Sequence, residues 1–238
     1  MISFLVRSGY PHQYLKAIQL HPNDGSNIDA AEKQITPAIG KFIKSVKEYL
    51  KKEQPGIALK TKVDLISHSM GSLSARWYAA KVRPDRVRVW FSIVGTNHGT
   101  DALCGASGQG ADDMCPAFAK SREDSLIQYV LNGAPHIADI DETPYGVGKD
   151  FPGAMTIKLD ESRAIICITL RVDSDEWIKP GTSASLDGAG GIKIIIPEKL
   201  RARETSPGNF LVTNRLDHDS LLKERSIFFC KKCSEWNA

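Results

Sequence analysis

The stretch DLISHSMG, residues 64–71, decides the fold. Residues 62–66 (KVDLI) are rich in β-branched and aliphatic side chains and predict a short strand, and residues 70–82 predict a helix. Pro84 ends that helix, because the residue before a proline disfavours helical backbone. The chain therefore passes from strand to helix through one tight turn, and Ser69 stands at its centre.

The turn at Ser69 has the pattern of a nucleophile elbow, Gly-x-Ser-x-Gly, with Ser67 in place of the first glycine. Such a turn strains the backbone of the central serine and requires small residues two positions away, which Ser67 and Gly71 supply. It raises the serine hydroxyl above the sheet and places the Met70 N–H at a helix N-terminus, where a developing oxyanion is favoured. We therefore predict Ser69 as a nucleophile and Met70 as an oxyanion donor.

Strands and helices alternate on both sides of this turn. Strands are predicted at residues 14–20, 62–66, 87–94, 164–170 and 192–196, and helices at about 27–53, 70–82 and 219–230. The continuous apolar strand 164–170 (AIICITL) is typical of a strand that is covered on both faces. This alternation predicts one α/β domain, residues 1–238, with a mostly parallel sheet and helices on both faces.

Residues 101–163 interrupt the alternation. They are rich in glycine and proline, and only residues 116–131 look helical. A loop region of this length inside a compact domain is usually functional. We predict a cap or lid that is inserted after the strand at 87–94 and covers the site; surface decoration is the alternative.

Composition and charge exclude several classes of protein. The 238 residues are 42% hydrophobic and 25% charged, which is typical of a globular protein and not of a disordered chain or a disulfide scaffold. The net charge is only +3, and the basic residues in 41–52 follow a helical spacing, so we expect no nucleic-acid partner. The apolar run 164–170 is too short to span a bilayer.

We expect no metal and no cofactor. The adjacent carboxylates Asp112 and Asp113 are typical of a solvated loop rather than of a calcium site. No histidine stands at zinc-ligand spacing beside Cys104 and Cys115 or beside Cys230 and Cys233. The chemistry predicted for this chain therefore rests on its own side chains.

A nucleophilic serine needs a base and an orienting acid, and in this kind of site they follow in the order Ser, Asp or Glu, His. The strand at 164–170 is followed by RVDSDEWIKP, in which Asp173 and Asp175 are both candidates for the acid. The later segment RLDHDSLL carries His218 at the start of the last predicted helix. The order and the placement of these residues fit such a site.

Four segments resemble small bacterial extracellular lipases and esterases of the α/β-hydrolase superfamily: VDLISHSMGSLSARWYA, SIVGTNHGTDAL, RVDSDEWIKPGTSASLDGA and RLDHDSLL. The resemblance extends from about residue 7 to about residue 230. It implies an α/β-hydrolase fold with a cap. It also implies a catalytic triad of Ser69, Asp175 and His218, with Asp173 as the rival for the acid.

The resemblance also implies an activity. Met70, His68 and Asn97 would be oxyanion or substrate-binding residues, although the family more often has proline at position 97. The reaction would be carboxylic-ester hydrolysis through an acyl-enzyme, on esters with apolar acyl chains such as triacylglycerols, with contact at a lipid–water interface. A polyester depolymerase or an acyltransferase would use the same triad, and a non-catalytic binding protein would keep the fold alone.

Members of the family are secreted, which implies an extracellular location and disulfide bonds. Cys104 and Cys115 are expected to pair, Cys230 and Cys233 form a second candidate pair, and Cys167 lies in an apolar run. The fold of the family begins with a strand and a loop that supply a second oxyanion donor. No such loop is recognisable ahead of Ser26, so we expect further residues upstream of Met1; a complete chain that is a weak or inactive hydrolase is the alternative.

Overall fold

The computed structural model describes residues 1–116, 126–132, 165–186, 201–206, 208–213 and 216–223. Several predictions lie outside these residues: the strand at 192–196, the pair Cys230 and Cys233, the end of the last helix and most of the region 101–163. The cap in particular remains a prediction. Within the described ranges, five strands form one sheet with helices packed against it.

The strands are β1 (Val63–His68), β2 (Val87–Ile93), β3 (Ile166–Val172), β4 (Ala202–Ser206) and β5 (Asn209–Val212). Their order in the sheet is β1-β2-β3-β5-β4. All neighbours are parallel except β4, which runs antiparallel to β5. The sheet is therefore mostly parallel, as predicted. β1 lies at one edge, and no other described strand pairs with its outer side.

The helices are α1 (Ile2–Arg7), α2 (Asn27–Asp29), α3 (Thr36–Glu53), α4 (Met70–Trp77), α5 (Gln109–Met114), α6 (Leu126–Asn132) and α7 (His218–Lys223). The π-helical segment Ala30–Ile35 joins α2 to α3, and Tyr78–Val82 extends α4. The predicted helices at 27–53 and 70–82 are thus confirmed. Among the described ranges, no helix is both long and apolar enough to cross a membrane.

Alternating residues of β2 divide the core between the two faces of the sheet. Trp90, only 1% exposed, packs in one cluster with Ile39 of α3 and Tyr78 of the segment that extends α4. Phe91 belongs to a second cluster, which includes Leu221 of α7. Because neighbouring residues of a strand point to opposite faces, helices cover both sides of the sheet, as predicted.

The predicted strand at 14–20 is wrong. The segment begins with the 3₁₀ turn His12–Tyr14, and residues 15–20 join no strand in the part of the chain that the structure describes. Side-chain contacts hold it instead: the Tyr14 hydroxyl donates to Gln54 Oε1 at 3.2 Å, and its ring meets Tyr49 edge-on at 6.1 Å. Apolar side chains of this segment line a groove beside β1, which explains a strand-like composition without a ladder.

The hairpin of β4 and β5, which lies ahead of His218, is not among the strands predicted from the sequence. β5 is buried along its whole length and adds a parallel partner to β3. β4 is mostly exposed and carries Arg203 and Glu204. Charged residues on an exposed edge strand protect the sheet from aggregation. Because β4 consists mostly of polar and charged residues, it lacks the apolar pattern by which a strand is recognised in a sequence.

The described part of region 101–163 packs against the body of the fold. Asp113 is buried, and its Oδ2 accepts hydrogen bonds from the backbone N–H of Asn27 at 2.6 Å and from Asn27 Nδ2 at 3.2 Å. Its Oδ1 accepts from Gln109 Nε2 at 3.0 Å. The expected solvated loop at Asp112 and Asp113 is therefore wrong, since Asp113 belongs to α5 and anchors α5 to the start of α2.

The cysteines within the described ranges follow the sequence-based expectation. Cys104 and Cys115 lie at disulfide distance, with their Cα atoms 5.0 Å apart, and connect the start of the loop before α5 to the residue that follows α5. Cys167 is a buried free thiol, and burial raises its pKa to about 12 because the thiolate is desolvated. Cys167 therefore contributes to the core and stays protonated.

Candidate active site

Ser69 lies at the junction of β1 and α4 in strained backbone. Its φ is 51° and its ψ is −133°, a conformation that costs a non-glycine residue on the order of 1–3 kcal/mol. The Ser69 N–H donates to the carbonyl of Ile93 at 3.1 Å, and its own carbonyl accepts from Ser72 N–H at 2.9 Å. The surrounding bonds therefore hold the tight turn that the sequence predicts.

The tightest packing near this turn is not at Gly71, the glycine of the motif. Among the described residues, an added Cβ at Gly71 would meet nothing within 4 Å, and the Ser67 hydroxyl has its own role as acceptor for Trp90 Nε1 at 2.9 Å. The close approach occurs at Gly95, just after β2, where an added Cβ would lie 2.6 Å from the Cβ of Ser72. Gly95 is therefore the residue that lets α4 pack against the end of β2.

We expect Gly95→Ala to lower the free energy of unfolding by roughly 1–3 kcal/mol, because the added methyl group overpacks a closed contact. Gly71→Ala is the matched control. It removes a glycine from a helix without a clash, so it should be neutral or stabilise by about 0.5–1 kcal/mol. Urea unfolding followed by circular dichroism measures both. Equal stability of the two variants would contradict this reading of the turn.

His218 and Asp175 form a buried acid–base pair. His218 Nδ1 lies 3.1 Å from Asp175 Oδ1 and 3.0 Å from Oδ2, and the two side chains are only 5% and 2% exposed. Asp175 Oδ1 also accepts the backbone N–H groups of Trp177 at 2.9 Å and Ile178 at 2.8 Å. The loop after β3 thus fixes the carboxylate, and the carboxylate fixes the imidazole at the start of α7.

The two candidate acids have different surroundings. Burial alone would raise the pKa of Asp175, but the hydrogen bonds from His218 and from the Ile178 and Trp177 N–H groups outweigh it, so its pKa lies below the ordinary value. Asp175 is therefore a carboxylate at neutral pH. Asp173 is exposed in the turn that follows β3. The structure brings Asp175, and not Asp173, to His218.

Ser69 and His218 line the same groove, which runs beside β1 and has a volume of about 1020 Å³. No hydrogen bond between Ser69 Oγ and His218 is present among the described residues. Most of the other groove-lining side chains are apolar, among them Leu5, Leu15, Ile18, Leu20, Ile35, Ile39, Phe42, Leu65, Ile66, Met114, Trp177 and Ile178. Ile66 and Trp177 are substantially exposed at its surface. The groove therefore combines a polar end at Ser69 with a long apolar wall.

His68 and Met70, the neighbours of Ser69, both line this groove. Met70 begins α4, so its N–H is one of the first amides of that helix, where the helix dipole favours negative charge. His68 Nε2 lies 3.3 Å from the backbone oxygen of His218. Burial lowers the pKa of His68, and the hydrogen bond to His218 offsets only part of that effect.

The structure places Asn97 in the interior, in the loop after β2. Its Nδ2 donates to the carbonyl of Ala184 at 2.7 Å, and its carbonyl accepts from Arg76 Nη1 at 3.0 Å and from Asn132 Nδ2 at 2.8 Å. Asn97 is fully buried. Its contacts join α4, α6 and the loop after β3, so in this structure Asn97 holds loops together and stands apart from the groove-lining residues.

Two residues support the acid loop without having been predicted from the sequence. The Thr100 hydroxyl donates to the Trp177 carbonyl at 2.5 Å and accepts from Lys179 N–H at 3.0 Å. Glu176 Oε2 accepts the backbone N–H of His218 at 3.3 Å. A threonine and a glutamate carry no distinctive spacing, so only the fold reveals that they brace the two residues of the acid–base pair.

Comparisons with known proteins give little beyond this geometry. No family model matches the chain, and no curated protein matches it. Among solved structures, the chain is similar to a crystal structure of a pyrethroid hydrolase, with 11% sequence identity and a TM-score of 0.32. That similarity covers 91% of this chain and 82% of the other.

Proposed function

We propose that this protein is a serine carboxylic-ester hydrolase, an esterase or lipase with a triad of Ser69, His218 and Asp175. The observation that carries the proposal is the strained serine at a strand–helix turn, in one groove with a histidine, His218, whose ring is bound by the buried Asp175. Strain of this kind persists only where the surrounding structure enforces it, and it concentrates at functional sites.

In the proposed mechanism, Ser69 Oγ attacks the acyl carbon of the ester while His218 Nε2 accepts its proton. Asp175 remains ionised, holds the proton on His218 Nδ1 and stabilises the imidazolium. The Met70 N–H donates to the oxyanion of the tetrahedral intermediate. His218 then gives its proton to the leaving alcohol. A water molecule, deprotonated by His218, hydrolyses the acyl-enzyme and restores Ser69.

The apolar wall of the groove supports esters with apolar acyl chains as substrates, and triacylglycerols are the specific proposal. Ile18, Ile66 and Trp177 are exposed apolar residues along the groove, and they would favour contact with a lipid–water interface. His68 is proposed to line the substrate site. Asn97 is proposed as an indirect support of it, through the loops that it joins.

The cysteine pair at disulfide distance supports an extracellular location, because such bonds persist in oxidising compartments.

One observation favours the second candidate, a non-catalytic binding protein of the same fold: Ser69 Oγ and His218 make no hydrogen bond within the described ranges. Catalytic hydrogen bonds are often long in ligand-free structures and tighten only around the substrate. The hydrolase therefore remains the better supported function.

Hydrolysis of p-nitrophenyl esters with two to twelve acyl carbons tests the proposal. We expect kcat/KM to rise by at least about tenfold from acetate to octanoate, because each buried methylene contributes about 0.8 kcal/mol. Ser69→Ala is the control for background hydrolysis. A flat profile would contradict an apolar acyl site, and no hydrolysis of any ester above the Ser69→Ala background would favour the non-catalytic protein.

A further inference from the structure

The side chain of His68 contacts the proposed base from a second direction. The two imidazole rings are 4.9 Å apart at an angle of 55°, and His68 Nε2 lies 3.3 Å from the main-chain oxygen of His218. His218 is thus held at three points: Asp175 binds its ring, Glu176 accepts its backbone N–H, and His68 binds its backbone oxygen. These contacts join the end of β1 to the start of α7, across 150 residues of sequence.

The acceptor identifies the tautomer of His68. A carbonyl oxygen only accepts hydrogen bonds, so His68 Nε2 must carry a hydrogen. The titratable groups that act on His68 are His218, Asp219 and Asp175; burial is the largest influence and lowers the pKa of His68. The ring is therefore neutral at neutral pH. This matters because a cation here would repel the imidazolium that His218 becomes during the proposed reaction.

The position of His68 in the chain connects the proposed nucleophile to the proposed base. His68 directly precedes Ser69, so the end of β1 carries both the proposed nucleophile and the hydrogen-bond donor to the proposed base. A shift of α7 relative to β1 would move His218 away from Ser69. The hydrogen bond between His68 and His218 opposes that shift, while a neutral ring adds no charge to the site.

We propose that His68 is a positioning residue: its neutral Nε2–H holds the His218 backbone and so directs the imidazole towards Ser69. This inference rests on the proposed hydrolase function. It assigns His68 a task beyond lining the groove, and that task acts through His218 rather than through direct contact with the reacting atoms. The expected effect is therefore on kcat more than on KM.

Two variants separate positioning from packing. His68→Phe keeps a ring of similar size but removes the donor, and we expect kcat to fall by about 10- to 100-fold with KM within about twofold, since small misplacements of a catalytic group carry losses of this size. His68→Gln restores an amide donor near the position of Nε2 and should recover kcat to within about threefold of wild type. A wild-type kcat in His68→Phe, or equal losses in both variants, would overturn the proposal.

An NMR measurement tests the same contact without relying on activity. Nitrogen-15 correlation spectra of the wild-type imidazoles at pH 7 should identify His68 as the neutral tautomer protonated at Nε2. A protonated ring or the Nδ1–H tautomer would overturn the proposal, even if the variants fold poorly. If this tautomer is found but the wild type hydrolyses no ester, the hydrolase function has failed while the contact between His68 and His218 stands.

Discussion

Replacing Ser69 or His218 by alanine is expected to lower kcat for ester hydrolysis by about 10⁴-fold or more, and the double variant should be little worse than either single one. The reason is that the base acts only by removing the proton of the nucleophile. Once one of them is missing, the other has no task left. Steady-state kinetics with a soluble p-nitrophenyl ester measures all three variants.

A much larger loss of kcat in the double variant than in either single variant would contradict this prediction. Two independent contributions would multiply to about 10⁸-fold in the double variant, which would mean that Ser69 and His218 do not act as a unit. Gly71→Ala is a suitable control for substitution near the turn, since the added methyl group meets no described atom within 4 Å apart from its chain neighbours and the backbone of its own helix. Its folded state can be compared with that of Ser69→Ala by circular dichroism.

The second large effect is expected at the acid. Asp175→Asn should lower kcat by about 10⁴-fold, because the amide cannot hold the His218 tautomer or stabilise the imidazolium. Asp173→Asn changes a carboxylate of the same loop in the same way, but at an exposed position, and should stay within about twofold of wild type. The two variants carry the same change of charge. The reverse ranking would assign the acid to Asp173.

The strand–turn–helix around Ser69 could be predicted from the sequence because it depends on local features. A short aliphatic run, a serine-centred turn and a helix that ends before a proline each leave a clear pattern over a few residues. The order of serine, acid and histidine in the chain could be recognised in the same way.

The sequence alone is insufficient where contacts between distant parts of the chain determine the structure. The residue pattern alone leaves Asp173 and Asp175 both open as the acid, and the resemblance favours Asp175; the path of the loop after β3 brings Asp175 to His218. The segment at 14–20 has the composition of a strand, yet it packs its side chains along a groove and forms no ladder. Asp113 looked solvated beside Asp112 because its partner, Asn27, is 86 residues away in sequence.

The same limit applies to the glycines near the turn. Gly71 fits the motif, but the close contact belongs to Gly95, whose neighbour Ser72 lies on a different element. A motif describes the spacing that relatives share, whereas steric need depends on how α4 packs against β2. The contact between His68 and His218 is of this kind as well, since nothing in the local sequence of either residue requires it.

Covalent labelling of the serine tests the central claim most directly. The protein is incubated with a fluorophosphonate, which reacts with activated serine hydroxyls, and the adduct is mapped by peptide mass spectrometry. We predict one adduct per chain, on Ser69, that is lost in Ser69→Ala and kept in Ser72→Ala, a serine one helical turn away. Labelling that persists in Ser69→Ala, or an intact protein that takes up no probe, would contradict the assignment of Ser69 as an activated nucleophile.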